Sequence, residues 1–220
     1  MNNDIISINK DWVAIEDYQF KILILTSVLA EKSLAFRGTL TTMCEWLGIA
    51  NAPKNTKQIK QAIEELQKKE YIFYNKEPNS RIHHISITNK GLKDKRVVKI
   101  KKQWIETIKK YNIAKNGNVN RSWDTMLKEL IVIEDKIQNA REKDKEAVGA
   151  TMTMKEIAKE IGKSEATAGK YLKALIDCNF EDGYSIARKL KYDIDKGENG
   201  EKDIIICIGT YIETGYKWKD

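Results

Sequence analysis

The stretch TMKEIAKEIGKSEATAGKYLKAL, residues 153–175, carries its own punctuation: a threonine, a glycine and a serine divide it into two short helical patterns. Thr153 is placed to cap the first, and Ile157, Ala158 and Ile161 recur at helical spacing as one apolar stripe. Gly162 supplies the positive φ that ends that helix, and Ser164 caps the second. There Ala168, Leu172 and Leu175 form the stripe to be buried, while Glu165, Thr167, Gly169, Lys170 and Lys173 fall on the opposite side. That outer face holds no large apolar side chain, so nothing in the fold has to cover it. It is also narrow enough for a DNA major groove, which admits one α-helix.

Two segments that read as strands follow. Tyr184 to Ile194 alternates apolar and polar residues, and Asp203 to Ile208 is a β-branched run. Between them DKGENGEK, residues 195–202, is too polar for a core and unsuited to a helix, which predicts a hairpin with a loose charged tip bearing Lys196 and Lys202. Gly197 to Lys202 has a superficial likeness to a phosphate loop but lacks the Gly-Lys-Ser/Thr ending that opens a helix, so nucleotide binding is rejected there. Helix, turn, helix, hairpin is the order of the winged-helix superfamily, and this part of the chain resembles it. The resemblance implies that Ser164, Glu165, Thr167, Lys170 and Lys173 lie on a DNA recognition helix, with Lys196 and Lys202 on the adjoining wing.

The N-terminal half repeats the plan. With Leu47-Gly48 set on Ile161-Gly162, residues Leu40, Met43, Cys44 and Leu47 fall where Met154, Ile157, Ala158 and Ile161 fall. NTKQIKQAIEEL from Asn55 then lies over SEATAGKYLKAL from Ser164, with Asn55 at the cap and Ile59, Ile63 and Leu66 at the buried positions. Thr56, Lys57, Gln58, Lys60 and Gln61 are expected to point outward, where Gln can bond adenine twice and Lys can reach guanine or phosphate. The hairpin returns as YIFYNK, the turn Glu77-Pro78-Asn79-Ser80, and RIHHISIT, whose Arg81 joins the candidate contacts. One departure stands out: the interhelical turn IANAPK is several residues longer than the single Lys163 of the second copy. Upstream of each pair a helix completes a three-helix core, Tyr18 to Ala30 in the first and WDTMLKELIVIEDKIQNA, capped by Ser122, in the second.

A net charge of +7 over 220 residues acquires meaning from its location. Residues 89–115 hold ten basic side chains, Lys90, Lys93, Lys95, Arg96, Lys99, Lys101, Lys102, Lys109, Lys110 and Lys115, against Asp94 and Glu106, a local +8 that leaves −1 for the remainder. This connector reads as an amphipathic helix, with Val97, Ile100, Trp104, Ile108 and Tyr111 on one side and lysines on the other. Lys99, Lys101 and Lys102 are then candidates for neutralising phosphates between two groove-reading units. Packing on one domain, or dimerisation through the apolar stripe, are the other readings of the same pattern.

Other classes of function find little support. No apolar run reaches membrane-spanning length and MNNDIISINKDW lacks a basic-then-apolar signal, so a cytoplasmic protein without a membrane partner is expected. Cys44, Cys178 and Cys207 are isolated in apolar runs and read as reduced, buried thiols. His83 and His84 are neighbours on one strand and face opposite ways, so no metal or other cofactor is expected. Catalytic residues are not predicted, because no nucleophile has a plausible His partner and no carboxylates cluster. Trp12, Trp46, Trp104, Trp123 and Trp218 read as core and interface anchors. The preference for Lys over Arg and the abundance of Ile match an AT-rich genome, hence a bacterium or its mobile element.

The expected fold is α+β and predominantly helical: tandem winged-helix domains over 1–88 and 122–220, joined by a basic amphipathic helix within 89–121. The expected function is sequence-specific binding of double-stranded DNA, as a transcriptional regulator that dimerises on a palindrome. A plasmid or phage replication initiator on direct repeats is the alternative, since the tandem arrangement resembles that of plasmid initiators with two such domains. A partner-binding adaptor that never touches DNA is the third reading.

Overall fold

The computed structural model describes residues 5–30, 35–92, 96–116, 123–145, 147, 149–179, 186–191 and 203–207. It is an α+β protein dominated by helices. Two compact units divide it, Met1–Lys102 with Asn112–Asp124, and Gln103–Tyr111 with Thr125–Asp220, so the units interleave along the chain.

The first unit begins with β1 (Ile5–Asn9), a 3-10 turn (Lys10–Ala14), α1 (Asp17–Leu29), β2 (Ala35–Gly38), α2 (Leu40–Leu47), α3 (Pro53–Lys68) and the hairpin strands β3 (Ile72–Lys76) and β4 (His83–Ile87). The short α4 (Asn89–Leu92), β5 (Val97–Lys101) and α5 (Lys102–Asn116) follow. After them come α6 (Trp123–Lys143), β6 (Ala150–Met152), α7 (Met154–Ile161), α8 (Glu165–Asp177), β7 (Ala187–Lys191) and β8 (Asp203–Cys207). Helix, strand, helix, helix, strand, strand thus occurs twice. Both three-stranded antiparallel sheets place their last strand in the middle, in the orders β2-β4-β3 and β6-β8-β7.

The agreement extends to single residues. Thr39 and Thr153 cap α2 and α7, and in the second the carboxylate of Glu156 returns to the Thr153 amide at 2.7 Å, closing a capping box. Both helices run eight residues and stop at a left-handed glycine, Gly48 at φ 66° and Gly162 at φ 64°. The next amide reaches back five residues in each, Ile49 to Cys44 and Lys163 to Ala158, both at 2.9 Å. Met43, Cys44 and Leu47 are buried, as are Ile157, Ala158 and Ile161; Leu40 and Met154 are both half-buried.

In the first unit Ile59, Ala62, Ile63 and Leu66 of α3 pack toward α1, whose Phe20, Ile22, Leu23, Ile24 and Leu25 are fully buried. A helix this apolar on every side belongs inside a core. Truncating one such residue, as in Leu66→Ala, costs about 2–5 kcal/mol. In the second unit Ala168, Leu172 and Leu175 take the corresponding places on α8. Every residue of α6 from Trp123 to Asp135 is buried. The expected core role of that helix therefore holds, although the sequence reading overlooked how much charge it carries inside. Ser122, read as its cap, lies outside the described residues.

Three expectations are corrected. Residues 97–101 are a strand and not part of an amphipathic helix: β5 pairs antiparallel with β1, with Ser7 opposite Lys99 and Ile6 opposite Ile100. Val98 and Ile100 are buried while Val97 and Lys99 are exposed, an alternation of two that ties Val97 to the outer face with the lysines. Asn55 does not cap α3. The cap is Ala52, which makes no side-chain capping bond, and Pro53 opens the helix because its fixed φ suits the first turn. Six residues precede Ile59 in α3 and three precede Ala168 in α8, so α3 is nearly one turn longer at its N-terminus. Consequently the connection between the paired helices is only two residues longer in the first copy, five against three.

A polar tether links the start of the chain to α4 beside the β1–β5 ribbon. The Gly91 carbonyl accepts from Asn9 Nδ2 at 3.2 Å and from Trp12 Nε1 at 3.1 Å. A Cβ at Gly91 would lie 2.5 Å from the Tyr71 carbonyl oxygen, so backbone contact restricts the site to glycine. Among the described residues no helix is long and apolar enough to cross a membrane.

Candidate nucleic-acid interface

Burying one stripe of α3 turns the opposite one outward. Lys57, Lys60, Gln61 and Glu64 are exposed on it, and Asn55, Thr56 and Gln58 are half-buried along its flank. The polar groups of the first turn are partly committed. Asn55 Nδ2 donates to the Ala50 carbonyl at 2.8 Å, and the Thr56 hydroxyl donates to the Pro53 carbonyl at 3.1 Å. The Asn55 amide nitrogen is thus spent within the chain. Lys54, which the sequence reading assigned to the turn, is an exposed cation on the same first turn. Pro53 was the signal that placed it in the helix.

The β3–β4 hairpin stands beside this helix electrostatically. His83 is buried, stacks on Tyr74 with ring centroids 5.8 Å apart, and shares a 2.8 Å hydrogen bond with its hydroxyl. Burial first, then Lys76 and Lys60, push its pKa below the ordinary histidine value, so both lysines bear on one ring. Arg81 is exposed at the start of the returning segment. On the outer face of the sheet, His84 and Arg37 converge on one Glu77 oxygen at 2.7 and 3.1 Å. The hydrogen bonds from His84 and then Arg37 hold the Glu77 carboxyl below its ordinary range. Opposite orientations of His83 and His84 are as the sequence implied.

The corresponding face of α8 is smaller in volume. Glu165, Ala166, Lys170 and Lys173 are exposed, and Gly169 is half-buried. Ser164 accepts from the Thr167 amide at 3.2 Å and shares a 2.9 Å hydrogen bond with its hydroxyl, so both hydroxyls serve the cap. A Cβ built at Gly169 meets nothing within 4 Å, so packing within the chain does not call for glycine. Lys196 and Lys202, expected from the sequence at the tip of a second hairpin, lie outside the described residues.

The connector lysines divide. Lys99 is exposed on the β1–β5 ribbon, and Lys101 and Lys102 are half-buried. Lys99 and Lys101 therefore belong to a different sheet from the hairpin beside α3, and Lys102 opens α5. Lys109 is buried 3.7 Å from Glu106, with its pKa lowered by burial, which removes it from any phosphate-facing set. Cys44 and Cys178 are buried thiols, the latter pushed up to about 12 by burial.

No protein-family model and no curated protein matches the chain. The functional reading therefore rests on topology and side-chain chemistry.

Proposed function

We propose that the chain is a sequence-specific double-stranded-DNA-binding protein composed of two winged-helix units. In this reading α3 and α8 are the recognition helices, and the β3–β4 and β7–β8 hairpins are the wings. One observation carries it: the runs α1-β2-α2-α3-β3-β4 and α6-β6-α7-α8-β7-β8 share one element order and one strand order, and α3 and α8 each have an outward face without a large apolar side chain. A surface meant for burial against protein favours apolar and aromatic anchors. These faces instead offer Lys57, Lys60, Gln61, Lys170 and Lys173, which suit base edges and phosphates. Arg81, Lys76 and Lys54 extend the cationic set in the first unit, whose helix also carries Thr56 and Gln58.

The test is recovery of bound fragments from random-sequence duplexes. A defined motif supports the reading, and uniform recovery of all sequences contradicts it. Motif arrangement then assigns the role: inverted repeats belong to a regulator that dimerises, direct repeats to a replication initiator.

A further inference from the structure

A chain of hydrogen bonds runs from the core of the first unit to the outward face of α3. It starts at Gln19 of α1, only 2% exposed. The Gln19 side-chain carbonyl accepts from Lys69 Nζ at 2.8 Å, and its amide nitrogen donates to Glu65 Oε2. The other oxygen of that carboxylate, Oε1, accepts from Gln61 Nε2 at 3.2 Å. Residues 61, 65 and 69 are spaced at i, i+4, so one helix edge carries all three partners.

The polarity of this chain is dictated by its ends. An ammonium group only donates and an ionised carboxylate only accepts. Lys69 therefore draws the carbonyl end of Gln19 and Glu65 draws its nitrogen; buried, Gln19 has no solvent to support the reverse. The same carboxylate draws the nitrogen of Gln61. Turning the Gln61 amide over would set its carbonyl against a carboxylate, losing a hydrogen bond and adding repulsion. What Gln61 offers outward is thus its carbonyl oxygen and its second N–H.

We propose that Gln61 reads adenine in the major groove, in an orientation imposed by Glu65 and, through Glu65, by the buried positioning residue Gln19. Adenine presents an N6 amine that donates to a carbonyl and an N7 that accepts an N–H, a pair matched to this arrangement. Cytosine offers the amine alone, and guanine and thymine offer acceptors. The inference rests on α3 being a recognition helix.

Selection from random duplexes with the wild type, Gln61→Ala, Glu65→Gln and Gln19→Met tests it. The wild type should enrich adenine at one position, and Gln61→Ala should lower that preference about tenfold while sparing the others. In Glu65→Gln the substituted amide accepts from Gln19 through its carbonyl and donates through its nitrogen to the Gln61 carbonyl. Gln61 then turns its N–H groups outward, and the preference moves from adenine to guanine or thymine. Removing a negative charge also raises affinity for every duplex, so the base selected is the diagnostic. Gln19→Met keeps the buried volume and releases Glu65, and it weakens the adenine preference at that position alone; this variant decides the matter if Glu65→Gln does not fold. Unchanged adenine preference in Gln61→Ala, Glu65→Gln or Gln19→Met overturns the proposal and leaves DNA reading intact. A wild type that enriches no motif overturns both.

Discussion

Glu129, in the middle of α6, is fully buried, and neither of its carboxylate oxygens has a hydrogen-bond partner among the described residues. Burial pushes its pKa up to about 8. Because the folded value exceeds the ordinary carboxylate value of 4.5, folding favours the protonated form. The associated stability is complete below about pH 4.5, declines as the unfolded chain ionises, and is lost by about pH 8. Glu129→Gln removes this titration at nearly constant volume. Its melting temperature should exceed that of the wild type at pH 8.5, with the gap closing toward pH 5; a constant gap would mean that Glu129 is ionised in the fold. Gly169 poses the opposite problem, a glycine in a helix with open space around it. Gly169→Ala should raise stability by up to about 1 kcal/mol, because helix-interior glycine is entropically costly. If α8 lies closely on DNA, the same methyl should weaken DNA binding several-fold. Thermal unfolding and a binding titration on one preparation read both signs, and a stabilised variant with unchanged affinity would separate this face of α8 from the DNA.

Helix α3 begins without help from its cap, since Ala52 offers no side-chain acceptor. Ala52→Ser should add about 1 kcal/mol of stability through a hydroxyl acceptor for the exposed first-turn amides, measured as a shift in the denaturant midpoint with unchanged slope. A destabilised variant would show that the Ala52 backbone cannot present a serine cap. This helix start also marks the limit of what was legible in the sequence. The paired helices could be read because their apolar residues repeat with the helical period and each first helix of a pair ends at a glycine. The start at Pro53 was missed because Asn55, a good capping residue, stood where the alignment with Ser164 wanted one. Strands β2 and β6 escaped because four and three residues are too few to show a period, and their partner strands lie about fifty residues downstream in sequence. The β1–β5 ribbon escaped for a related reason: Val97, Ile100 and Trp104 mimic helical spacing, and only pairing with residues 5–9 reveals the true period of two. The outward lysines and glutamines of α3 were legible, whereas the Gln19–Glu65–Gln61 chain depends on tertiary contact between two helices.

The interleaved units bear on how binding energy is distributed over the protein. Trp123 packs edge-on to Trp46 at 5.9 Å, and Asp124 lies 3.4 Å from Lys21, so the start of α6 belongs to the first unit. Cations outside the reading helices are expected to add phosphate contacts to those of the helix lysines. Replacing Lys99, Lys101 and Lys102 with Ala should weaken binding to all duplexes alike and reduce the salt slope by up to about three units; an unchanged slope would leave the ribbon and the start of α5 as packing surface. The central claim, that one chain carries two reading helices, is tested most directly by comparing the motif selected by the wild type with those selected by Gln58→Ala/Lys60→Ala and Thr167→Ala/Lys170→Ala. The account predicts that each double variant loses preference, by roughly 1–3 kcal/mol, at its own block of base pairs and leaves the other block unchanged. Uniform weakening across all sequences, or a motif untouched by the α8 variant, would contradict it.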